Sequence, residues 1–172
     1  DNNQVKLQKL LGFLVTADNQ AADDLLLEAL RIGSEPERAI ALEAIMRRET
    51  PYGLMGVLER FAELPKSLQT KIIQRAKVFY FALSEAGRSE NRPARLAAMH
   101  IIAAARLGKL SYVLSENLRD PDEDLSRTAS GALLELSRWV NSQSRLMHRF
   151  EANTDEGLTL LGNEGTSNDT TV

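Results

Sequence analysis

The chain has 172 residues and a mass of 19.1 kDa; it is 43% hydrophobic and 26% charged, with no cysteine, one Trp and five Pro, the composition of one ordinary soluble domain. The missing cysteines exclude a disulfide scaffold, thiolate zinc sites, iron–sulfur clusters and a cysteine nucleophile, and no apolar stretch approaches the roughly 20 residues of a membrane-spanning helix. The formal charge of -3 is too balanced, taken whole, to announce a nucleic-acid or membrane partner.

The chain opens at Asp1 without a Met or a basic-then-apolar leader, which leads us to expect an excised or processed fragment. From there the apolar residues follow helical spacing almost everywhere. Leu10, Leu11 and Leu14 line a first helix near 5–16, and Leu25, Leu26, Ala29 and Leu30 a second near 20–32. Ala39, Leu42, Ile45 and Met46 predict a helix over 36–48, and Leu54, Leu58 and Phe61 another over 52–64. A longer helix near 66–85 carries Leu68, Ile72, Ala76, Phe79 and Leu83. The stretch 93–107 is apolar nearly all round, as a helix buried between neighbours is. A shorter helix near 110–119, an amphipathic one near 122–140 and a last turn or two at 143–151 complete the pattern. No segment alternates with period two, so no sheet is expected. From about residue 152 the character changes: Glu151–Val172 hold five acids, no base, three Gly and many Asn and Thr, a flexible-tail composition apart from Leu158, Leu160 and Leu161.

Pro36, Pro65, Pro93 and Pro121 each precede a helical pattern, where a missing N–H is harmless. Their even separation, 28 or 29 residues, is the period that stacked helix pairs produce. The interval 65–92 is the irregular one, reading as one long helix and a loop where its neighbours read as two helices. Short links such as Glu49-Thr50-Pro51 hold successive helices antiparallel.

Three segments resemble one another: Pro36-Glu-Arg38-Ala-Ile-Ala-Leu42, Pro93-Ala-Arg95-Leu-Ala-Ala-Met99, and Asp120-Pro121 leading to Arg127, Ala129, Ala132 and Leu133. They resemble the HEAT repeat in its short bacterial form, also found in phycobilisome bilin lyases. The likeness is best over 93–140 and fair over 36–64. It implies an all-α fold, a right-handed α-α superhelix of stacked antiparallel helix pairs (a HEAT-like solenoid) of about eight or nine helices over residues 1–151, followed by an acidic flexible C-terminal tail over 152–172. Arg38, Arg95 and Arg127 fall in first turns, where the helix dipole disfavours a cation. Glu35, Glu90 and Asp120 or Asp124 are at hand to compensate them, and the resemblance implies such a ladder between repeats.

Catalytic arrangements are scarce. His100 and His148 lack metal spacing, and His100, in the most apolar helix, is expected to be a core histidine. No phosphate-binding glycine loop or nucleophile elbow occurs, and Asp122-Glu123-Asp124 reads as a dipole-complementing helix start rather than a calcium loop. Trp139 reads as a packing residue. We therefore expect no enzyme, no cofactor, no metal and no small-molecule substrate.

Charge is unevenly distributed. Residues 66–109 carry a net +7, residues 1–65 a net -4, residues 110–150 a net -1 and the remainder -5. Within the basic stretch Lys71, Arg75, Lys77, Arg88 and Arg92 are the candidate partner-binding residues, suited to an acidic protein or to phosphates; their alternative role is to pair with acids on neighbouring repeats. The expected function is a cytoplasmic, non-enzymatic scaffold mediating protein–protein interaction through a concave face and this patch. The alternative is a nucleic-acid binder related to the HEAT-like DNA alkylation-repair glycosylases, against which stand the overall acidity and only nine aromatics. A bilin lyase subunit is a third, weaker reading. The ending Thr170-Thr171-Val172 has the form that PDZ domains capture as an added strand.

Overall fold

Side-chain caps start several of the helices where the sequence places them. A computed structural model describes residues 5, 9 and 12–161, with side chains up to 147 and at 149; the Thr170–Val172 ending and residues 162–169 of the expected tail lie outside the described residues. Among these residues the structure is helical throughout, with no strand. After a helical stretch over 12–16 come α1 (Gln20–Ile32), α2 (Glu35–Arg48), α3 (Pro51–Arg60), α4 (Lys66–Gln74), α5 (Tyr80–Ala86), α6 (Arg92–Ala104), α7 (Ser111–Asn117) and α8 (Glu123–Leu161), with 3-10 turns at Phe61–Glu63, Ala76–Phe79 and Gly108–Leu110. Asn19 accepts the Ala22 N–H at 3.0 Å, Thr50 the Gly53 N–H at 3.2 Å and Asn91 the Ala94 N–H at 3.0 Å, satisfying donors that a helix start leaves open. The helix ends are served in return. The Gln69 amide donates to the carbonyls of Phe61 and Leu64, both at 3.0 Å, and Asn117 donates to Gly87 and Val113.

Two expected elements differ. The helix over 66–85 breaks at Arg75 and continues through a 3-10 turn into α5. No Pro or Gly lies in this stretch to impose the break. It gives the interval 65–92 two helices, like its neighbours. At the other end, α8 passes through residue 151 without interruption to Leu161, so its helix takes in ten residues assigned by composition to the tail. Two compact bodies can be distinguished, Asp1–Leu133 and Leu134–Val172.

The first body has a regular core. Leu26, Leu54, Ala82 and Leu110 are all buried, as are Leu30, Leu58, Ala86 and Leu114, and Ala41, Gln69, Ala97 and Leu125; in each series consecutive members lie 28 residues apart. Side-chain bonding has the same period. Tyr52 with Asp24, Ser84 with Tyr112, and Arg88 with Glu116 each span 28 residues. The other non-local hydrogen bonds between side chains among the described residues span 22 to 32. Two residues in the left-handed region, Glu49 (φ 52°) and Arg106 (φ 58°), turn the chain after the first helix of the second and fourth pairs. α1, α3 and α5, the second helices of successive pairs, pack in sequence, and α3 also contacts α2 and α6. The α3–α6 contact skips the intervening pair, a departure from strictly neighbour-to-neighbour stacking.

Close approach is specified at Gly87, whose φ of -63° any residue adopts. A Cβ there falls 2.1 Å from Val113 Cγ1, on a β-branched side chain with little rotameric freedom. Gly87→Ala is therefore expected to lower stability by about 1–3 kcal/mol through overpacking, and denaturant unfolding measures it.

Candidate functional site

The five candidate cations do not form one free patch. Lys71 and Arg75 converge on Glu43 of α2, at 3.9 Å for the ammonium and at 2.9 and 3.0 Å for the guanidinium to the two carboxylate oxygens. Partial burial pushes the Glu43 carboxyl up, but the Arg75 hydrogen bond and the surrounding cations outweigh it and hold the group below its ordinary range. Arg88 makes a two-pronged pair with Glu116, both contacts at 2.8 Å, and lies over the Tyr112 ring 5.2 Å from its centroid. The Arg88 hydrogen bond holds Glu116 low, and the same bond raises the guanidinium. Arg92 reaches Asp122 at 2.5 Å and Asp124 at 2.7 Å. Lys77 is exposed and has no ion-pair partner among the described residues. The local charge of the stretch is thus met largely by acids about one period away.

The first-turn arginines find compensation, though not always from the expected acids. Arg95 donates to Asp120 and to Asn117, while Arg127 pairs with Glu123 at 2.7 Å and Asp124 at 3.5 Å. Arg38 instead donates to the carbonyls of Arg31 and Gly33, both at 2.9 Å. These belong to the end of α1, where the helix dipole is negative.

His100 departs from the core position expected of it. It is exposed, with its ring 5.8 Å from that of Phe61. α6 buries Ala94, Ala97, Ala98, Ile101 and Ile102 but leaves a strip at Arg92, Leu96, His100 and Ala104, spaced by four, incompletely covered. Trp139 is half-buried.

Acid should weaken the array of ion pairs. The Asp122 carboxyl is held low first by Arg92 and then by backbone N–H groups, and Asp120 first by the Asp122 N–H and then by Arg95. A carboxyl lowered in the folded state stabilises fully above its unfolded value and loses that contribution as pH falls through the folded value. Stability is therefore expected to decline from about pH 4 downward. Asp122→Asn should show a shallower decline between pH 5 and pH 2 in thermal unfolding, and an identical decline would contradict the assignment.

Two features carried no sequence expectation. Arg48 and Asp23 form an ion pair at 2.7 Å with side chains only 4% and 3% exposed. The second is on the part of α8 in the second body, where Arg138, Arg145 and Arg149 are exposed and line a shallow hollow with Asn141, Ser142 and Leu146. No ion pair reaches these three arginines among the described residues. The signal was present in the spacing 138, 142, 145, 149 and in the absence of any acid between Glu135 and Glu151.

Among the described residues, no helix is long and apolar enough to cross a membrane, and no three metal-ligating side chains of the His, Cys, Asp or Glu type come together. Comparison of the chain with protein-family models, curated proteins and solved structures returns no match.

Proposed function

We propose that the chain is a HEAT-like helical-repeat scaffold, a right-handed superhelix of stacked helix pairs that holds a protein partner and performs no chemistry of its own. The observation that supports this most is the 28-residue period shared by the buried positions and the cross-linking side chains. In a repeat array each pair buries its apolar face only against its neighbours, so equivalent residues meet one period apart. The nucleic-acid alternative draws on the cations at 66–109, and pairing of Lys71, Arg75, Arg88 and Arg92 with acids leaves that stretch less charge to offer phosphates.

Capture on immobilised chain, with and without nuclease, tests the proposal. A stoichiometric protein partner that survives nuclease is expected. Recovery of nucleic acid alone, or of no stoichiometric partner, would contradict it.

A further inference from the structure

Arg75, Arg88, Arg92 and Arg95 of the central stretch are met by acids, whereas Arg138, Arg145 and Arg149 of α8 have no ion-pair partner among the described residues. Arg138, Arg145 and Arg149 fall within an arc of about 40° on the helix, in a line rising about 16 Å. Arg145 and Arg149 have no acid three or four residues away in either direction. Like charges at such spacing disfavour a helix, and within the described residues nothing offsets them. We propose that this row is the docking line for an acidic α-helix of the protein partner, a step that rests on the scaffold reading above and locates its contact.

The geometry favours a helix over other polyanions. Positions i, i+4, i+7 and i+11 form the ridge along which a second helix packs, so carboxylates spaced by three and four on that helix meet the row in register. Arginine presents a planar fork that takes a carboxylate through two hydrogen bonds. Asn141 lies beside the line as a further donor, Ser142 has its hydroxyl committed to the Trp139 carbonyl at 2.7 Å, and Leu146 adds an apolar edge. A nucleic-acid duplex, by contrast, presents phosphate walls on two sides of a groove. The row is one line wide, with Glu135 toward one flank and the uncharged Ser137, Asn141 and Ser144 toward the other.

The test uses the full chain and two labelled synthetic peptides in anisotropy titrations. One carries Glu at a 4-3-4 spacing on an alanine-rich helix, and the other has the same composition scrambled; a 20-base-pair DNA duplex is the third probe. We expect the patterned peptide to bind in a salt-dependent way and the scrambled one at least tenfold more weakly. Arg145→Ala/Arg149→Ala should weaken the patterned peptide tenfold or more without lowering the thermal midpoint, whereas Lys109→Ala/Arg119→Ala, at exposed cations elsewhere, should leave binding unchanged. No binding, equal binding of both peptides, preference for the duplex, or indifference to Arg145→Ala/Arg149→Ala would overturn the proposal. The capture experiment separates the two readings. A nuclease-resistant partner held equally by wild type and Arg145→Ala/Arg149→Ala removes the row but leaves the scaffold, while the absence of any partner on both removes the scaffold.

Discussion

Asp23→Ala is expected to cost about 3–5 kcal/mol, the range measured when one member of a buried ion pair is removed. Asp23 and Arg48 are almost completely enclosed. The guanidinium donates to Asp23 at 2.7 Å, to the carbonyls of Ala17 at 2.6 Å and Asn19 at 3.1 Å, and to the carbonyl of Leu14. Asp23 also accepts the Thr50 hydroxyl at 2.8 Å, and Thr50 caps α3. One carboxylate therefore ties the loop before α1, the end of α2 and the start of α3 together. Its loss leaves a buried cation with neutral acceptors only and frees a hydroxyl, and each is more costly than the bond itself is favourable. Denaturant unfolding should show a lower midpoint at unchanged slope. Asp23→Asn, which keeps an acceptor, should lose less; equal stability of Asp23→Ala and wild type would contradict this view of the network.

Leu58→Ala should cost about 2–5 kcal/mol, because a fully buried leucine leaves a cavity that its neighbours fill only in part. The repeat period makes a further demand: Leu30→Ala and Leu114→Ala, at equivalent positions and equally enclosed, should fall in the same range. The fourth member of the series is already Ala86, next to Gly87, where Val113 approaches closely. Ala86→Leu is therefore expected to destabilise rather than to restore a missing contact. Urea midpoints for the four variants provide the check.

Much of the fold was legible because short-range physics specifies it. Apolar spacing located the helices, and the prolines marked the starts of α2, α3, α4, α6 and α8 to within a residue or two. The break at Arg75 was not legible. Leu68, Ile72, Ala76, Phe79 and Leu83 lie on one stripe of an unbroken helix, and neither Pro nor Gly marks the division between them, beyond which α5 packs against α3 and α6. The helix over 152–161 was masked by its composition, since Asn, Thr and Gly are common in loops. His100 was misplaced because a helix rich in Ala reads as apolar all round when one narrow strip remains open.

The surface was harder to read than the core. Net charge by segment picked out residues 66–109, but it counts cations without their partners. Most of the partners, Glu43, Glu116, Asp122 and Asp124, lie one period away, outside that window. The Arg138, Arg145 and Arg149 row disappeared into a segment whose net charge is only -1. Pairing with acids about 28 residues away, rather than charge density along the chain, decides which cations remain unpaired.

The central claim is that a 28-residue helix pair is the structural unit, and inserting a second copy of residues 93–120 after Asp120 tests it most directly. A chain built of such units should accept the copy: helical signal should rise, unfolding should remain a single transition, and the denaturant slope should increase with the extra surface buried. A loss of cooperative unfolding, or an unchanged slope with the copy left unstructured, would contradict the claim.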